Sequence, residues 1–176
     1  MTAQQASRDR ARASLWAFLS SELGGGVAPV RAEGTGSGTA GGPGRGGPVA
    51  HKIDPVAAHR IVKRGISSRA IAPLGVFLGL GKGTVAEYLD LDRGTANRRA
   101  AKDQLLPLHA AEGVVRLLEI DQMAADTFED EAQASEWLRR SHPMLEDETP
   151  LEAAKTSYGA QRVRDILVAI KYGGVV

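Results

Sequence analysis

From Lys52 onward, apolar side chains recur three and four positions apart, and no stretch alternates with period two for long enough to make a strand. Such a pattern predicts an all-α fold. Asp54-Pro55 reads as an N-cap followed by proline at the first helical position, opening a helix that ends near Gly65. Ser67 or Ser68 caps a second, running to about Leu80, and Thr84 to Leu89 and Arg93 to Lys102 form a close pair around Asp90-Leu91-Asp92. Pro107 opens a long helix to Phe128. Its Glu112, Arg116 and Glu119 make one polar stripe, and Val114, Val115, Leu117, Leu118, Ile120 and Met123 cover the rest. A helix apolar over most of its girth packs on more than one side, as one joining two lobes would. Glu131 to Arg140, Pro150 to Lys155 and Tyr158 to Tyr172 complete the set, the last with Val163, Ile166, Leu167 and Ile170 as an apolar stripe.

Ahead of Lys52 the pattern changes. Ser7 to Leu23 places Ala11, Leu15, Phe18 and Leu19 at helical spacing behind Arg8, Arg10 and Arg12, which predicts an amphipathic helix within residues 1–23. An organellar transit peptide and a basic arm that touches DNA phosphate are alternatives for this segment. Residues 24–50 hold eleven of the 21 glycines and almost no large apolar side chain. They cannot bury enough surface to offset backbone ordering, so this segment is expected to be a flexible linker.

Composition narrows the function. With no cysteine, disulfide scaffolds, thiolate zinc sites and thiol nucleophiles are excluded. No apolar run approaches the ~20 residues of a membrane span, so a soluble, cytoplasmic protein is expected. Residues 1–120 carry 16 basic and 10 acidic side chains, hence +6; residues 121–176 carry 6 and 11, hence −5. A basic half joined to an acidic half suggests two different partners, one of them anionic, although chance clustering of surface charge gives the same sums.

Few residues suggest chemistry. Gly79-Leu80-Gly81-Lys82-Gly83-Thr84 fails as a phosphate loop, because Val76 stands where the first glycine belongs and Gly83 where Ser or Thr must follow the lysine. His51, His59, His109 and His142 have no partner at metal-ligand spacing, and Glu129-Asp130-Glu131 suits a helix N-terminus. No spacing suggests a catalytic triad. A non-enzymatic protein without a cofactor is expected.

The informative segment is Thr84 to Lys102. Two helices joined by a short turn are what a helix-turn-helix requires, and Asp92 is placed to cap the second. That second helix would present Arg93, Thr95, Asn97, Arg98, Arg99 and Lys102 to DNA, Arg to guanine edges or phosphate and Asn to adenine. Ala96 and Ala100 would face the preceding helix. The competing reading is a solvated charged helix in an α-bundle.

The order Trp137-Leu138, Pro143, Leu145, Thr149-Pro150-Leu151, Tyr158-Gly159-Ala160, Val163, Leu167, Ile170 and Tyr172-Gly173 resembles the C-terminal toxin-binding domain of Xre/MbcA/ParS antitoxins. The helix pair and the Pro107 helix ahead of it resemble the Xre-type helix-turn-helix that such antitoxins carry. The resemblance implies a DNA-binding domain over 51–120 and a toxin-binding domain over 121–176. It implies a cognate toxin of the RES class, which consumes NAD⁺, operator DNA as second partner, and repression of the operon. By position Trp137, Arg162, Lys171, Tyr172 and Gly173 would contact the toxin, the last three blocking its active-site cleft. A homodimer is expected, since helix-turn-helix proteins usually meet half-sites about 34 Å apart. One departure stands out: Glu146 and Asp147 occupy a turn where the family commonly has glycine. The alternatives are a repressor whose C-terminal domain only oligomerises, and an antitoxin whose helix-turn-helix serves assembly.

Overall fold

A computed structural model describes residues 17–18, 29–30, 50–51, 53 and 55–173. The amphipathic helix expected within 1–23 lies outside the described residues except for Ala17 and Phe18, which are helical, with Phe18 set partly buried against the core. Most of the glycine segment is likewise outside them. Its two ends form the sole strand pair among the described residues, β1 (Pro29–Val30) against β2 (Ala50–His51), antiparallel with Pro29 opposite His51. Two residues are too few to show a period.

The rest is helical: α1 (Pro55–Arg64), a 3₁₀ turn (Ser68–Ala70), α2 (Ile71–Leu78), α3 (Lys82–Tyr88), α4 (Arg93–Ala101), α5 (Leu108–Phe128), α6 (Glu131–Arg139), a second 3₁₀ turn (Pro143–Leu145), α7 (Pro150–Ala153) and α8 (Ser157–Tyr172). The all-α expectation holds. Ser67, not Ser68, caps the first 3₁₀ turn, its Oγ accepting from Arg69 N, and that turn runs directly into α2. Gly79 ends α2 in the left-handed region, which lets Leu80 N–H reach back to the Gly75 carbonyl at 2.8 Å.

The long helix organises everything else. α5 buries Ala110, Ala111, Val114, Val115, Leu117, Leu118, Ile120 and Ala124, and packs against α1, α6 and α8. Each fully buried Leu or Ile contributes about 1.5–3 kcal/mol of apolar transfer. A single apolar cluster runs from Ile53 through α5 to Leu167. The cut between residues 120 and 121 therefore falls inside an unbroken helix and an unbroken core.

Its polar stripe faces inward more than the pattern suggested. Glu112 is exposed, but Arg116 donates from Nε to Ala154 O and from an Nη to Lys155 O, both at 2.8 Å, capping the carbonyl end of α7. Burial pushes the Arg116 pKa down. Glu119 accepts from Arg164 of α8 at 2.9 Å. Lys171 bonds Asp126 in the same manner. Both pairs advance by seven residues on each helix, so α5 and α8 run side by side in the same direction there.

Candidate interfaces

The α3–α4 pair is shaped by its turn. Asp90 sits at φ 52, and this left-handed residue returns Leu91 N–H to the Ala86 carbonyl at 2.8 Å. Leu89 and Leu91 point into the core while Asp90 and Asp92 face solvent. Asp92 Oδ2 accepts from Thr95 N at 2.9 Å and caps α4, and that backbone bond is the main cause holding its carboxyl below the usual range. Ala96 is buried and Ala100 half-buried, as expected.

The six residues expected to meet DNA divide between faces of α4. Asn97, Arg98 and Lys102 are exposed, with Gly94 and Ala101 between them, and such small residues let another surface approach the helix backbone. Thr95 is half-buried; its hydroxyl accepts from Arg98 Nη2 at 3.2 Å, while Arg98 Nε reaches Gly94 O at 3.3 Å. Arg93 lies over Gly83, where an added Cβ would fall 2.5 Å from its guanidinium carbon, and pairs with Glu87 at 3.0 Å. Arg99 is turned back: Nη1 donates to Leu105 O at 3.1 Å and Nε is buried. Its position on the helix did not reveal this, because Leu105 comes from a segment beyond the helix end.

The C-terminal helices form the other surface. Thr149 and Glu152 make a reciprocal capping box at α7, which draws the Glu152 pKa down chiefly through the Thr149 backbone N–H. Thr156 Oγ1 accepts from Gly159 N and starts α8. Gly159 explains the Tyr-Gly-Ala order, since a Cβ there would lie 2.0 Å from the Ala153 carbonyl oxygen. α8 buries Ala160, Val163, Ile166 and Leu167, but Ile170, expected to complete that stripe, is 40% exposed, although Lys171 beside it still reaches Asp126 of α5. On the outer side Tyr158 is 87% and Tyr172 76% exposed, with Arg162 and Asp165 between them.

The residues expected at the toxin are not alike. Trp137 is half-buried beside Phe128, ring centres 5.7 Å apart, and packs against the core. Arg162 reaches back to Glu146 at 3.0 Å and to Met144 O at 2.5 Å. It thereby braces the turn in which Glu146 and Asp147 stand at φ 59 and 63, the conformation that glycine adopts without strain. Lys171 is held by Asp126, the first cause raising its pKa, while Tyr172 and Gly173 are exposed at the chain's described end. Tyr158, equally exposed, is the residue the sequence reading passed over; its place outside the buried stripe was the available signal.

Two contacts tie the two surfaces together. Tyr88 of α3 lies under Lys155, whose Nζ is 4.8 Å from the ring centre, and burial raises the phenol's pKa. Arg139 of α6 donates to the Leu78 carbonyl at the end of α2. Among the described residues no helix is long and apolar enough to cross a membrane, and no group of three metal-ligating side chains gathers.

The outer side of α8, with Tyr158 and Tyr172 exposed, is thus set on a helical base. Residues 123–173 match the sequence model of the antitoxin Xre/MbcA/ParS C-terminal toxin-binding domain, so the chain carries a domain of that antitoxin type. Its partner class is therefore a toxin protein. No curated protein is similar enough to the chain to count as a relative.

Proposed function

We propose that the protein neutralises a RES-type, NAD⁺-consuming toxin by laying the end of α8 across the toxin's active-site cleft, and that it represses its own operon through α4. In this reading the protein has no catalytic activity of its own, acts in the cytoplasm and works as a homodimer within a larger complex. The observation that carries it is the toxin-binding domain match, which ends at Gly173, directly after the exposed Tyr172. Lys171 leaves Asp126 to reach the cleft. Arg162, on the outer side of α8 between the two tyrosines, and the half-buried Trp137 complete the contact surface.

DNA binding is the second half of the proposal. Asn97, Arg98 and Lys102 face outward on a helix whose small residues, Gly94 and Ala101, allow a base edge or phosphate to come close. A mobility shift on the protein's own upstream DNA, with and without copurified toxin, tests both halves. No shift with either species removes the repressor role. Failure of any neighbouring gene product to copurify removes the antitoxin role. The alternative in which this helix pair serves assembly has one favouring observation: Arg93 and Arg99 are engaged within the chain.

A further inference from the structure

A cleft of about 470 Å³ opens between the first 3₁₀ turn, the start of α2, α3 and α4, sharing only Asn97 with the surface just assigned to bases. Its walls include the small side chains of Ala72, Ala86 and Ala100. Alanines facing one another across packed helices leave room that larger residues would fill. Two guanidiniums line it, Arg69 from the 3₁₀ turn and Arg93 from α4, together with Asn97. Each guanidinium pairs with an acid, Arg69 with Asp103 at 3.2 Å and Arg93 with Glu87 at 3.0 Å, yet neither carboxylate is part of the cleft wall. Ser68, the remaining polar lining residue, donates its hydroxyl to Gln104 O. The charged lining is thus entirely cationic, set among small apolar side chains.

The geometry points to this cleft as the seat of one sugar–phosphate unit of bound DNA, with Arg69 a phosphate contact supplied from outside the α3–α4 pair. The inference rests on the DNA-binding reading above and extends it. The alanine walls accept the apolar face of a deoxyribose, and the two guanidiniums converge on the phosphate it carries; Arg suits phosphate because its fork of donors matches the oxygens. Arg69 is 60% exposed, so an incoming phosphate shares it with Asp103 without opening the core. Asn97 spans both surfaces, cleft on one side and base edges on the other. Contacts of this type set the register of a reading helix and carry no sequence information themselves.

The test measures affinity of the full-length protein for a duplex of its own upstream sequence and for an unrelated duplex, by fluorescence anisotropy across a salt series. Arg69→Ala is expected to weaken binding to both duplexes by the same factor, roughly five- to tenfold at 100 mM salt, and to reduce the slope of log affinity against log salt by about 0.9, one phosphate's share. Arg69→Lys keeps the charge and is expected to retain most of the slope; Asp103→Asn leaves Arg69 in place and shows whether loss of their pair alone disturbs the fold. An unchanged slope in Arg69→Ala, with Arg98→Ala still weakening binding, overturns this assignment and leaves the DNA reading standing. Absence of any salt-dependent binding by the wild-type protein overturns both. In a parallel arm, inorganic phosphate and deoxyribose 5-phosphate are titrated against the amide signals of Arg69, Ala72 and Ala100. Shifts at micromolar ligand with no shift on adding DNA would make this a site for a free small anion, and the proposal falls.

Discussion

Replacing Gly159 by alanine inserts one methyl group where the backbone of α7 crosses the start of α8. The new Cβ would stand 2.0 Å from the Ala153 carbonyl oxygen and 2.8 Å from its carbon. Carbon and oxygen ordinarily approach no closer than about 3.3 Å, so the two chain segments must part by about 1.3 Å. Neither atom is the end of a flexible side chain, and Ala153, Ala154 and Ala160 are all buried at the crossing. Overpacking of this kind costs about 1–3 kcal/mol. Separation also stretches the two bonds from Arg116 to Ala154 O and Lys155 O, and bonds to a charged donor are worth about 1.5–3 kcal/mol each when formed. The higher helix propensity of alanine returns up to about 1 kcal/mol. A net loss of about 3 kcal/mol is expected, equivalent to a fall in Tm of roughly 10 °C for a fold of this size. Urea denaturation followed by far-UV circular dichroism gives the difference directly. A variant within 0.5 kcal/mol of wild type would refute the close crossing, and with it the physical reason offered for glycine at this place.

Arg98→Ala should weaken operator binding and flatten its salt dependence by about 0.9, whereas Arg99→Ala should chiefly lower stability, because Arg99 is tied to Leu105 O; equal loss of DNA affinity in both variants would contradict the division of α4 into faces. Asp147→Gly should raise stability by about 1 kcal/mol in thermal melts by relieving a left-handed residue, and Glu146→Gly should gain less because its pair with Arg162 goes too. Glu152 has a depressed pKa in the folded protein, so its contribution is complete above the ordinary glutamate range and is lost as pH falls through the lowered folded-state pKa; the stability difference between wild type and Glu152→Gln should therefore be constant above about pH 6 and shrink on acidification below the ordinary glutamate range. Tyr172→Ala should impair toxin neutralisation in a growth assay while leaving the mobility shift intact, and loss of both together would argue against separate surfaces.

Helix order and most boundaries were legible because their signals are local. Asp92, Asp130 and Thr149 each cap the helix that follows them, and prolines open α1, the second 3₁₀ turn and α7. The charged stripe of α5 was visible, but its role was not: Arg116 and Glu119 meet residues 38 and 45 positions further on, and no period encodes which carbonyl or guanidinium arrives there. The same limit applied to Arg99, read as a DNA contact from its residue type and held instead by a carbonyl six positions away. Ile170 follows the spacing of its buried neighbours yet is 40% exposed, which spacing alone does not encode. Conversely, the glycine-less turn at Glu146 and Asp147 stood out in the sequence, but the arginine that braces it comes from α8, 16 residues further on, which no local signal encodes.

The continuity of α5 has a practical consequence for anyone wishing to re-pair this protein with a different toxin. A chimera spliced at residue 120 would sever a helix whose one side supports α1 and whose other side supports α6 and α8. A donor segment would have to arrive with its own stretch of α5, including the residues facing Arg164 and Lys171, or be grafted onto the outer side of α8 alone. Exchange of segments is therefore tolerated best at exposed positions such as Tyr158 and Tyr172 and penalised at residue 120 within α5.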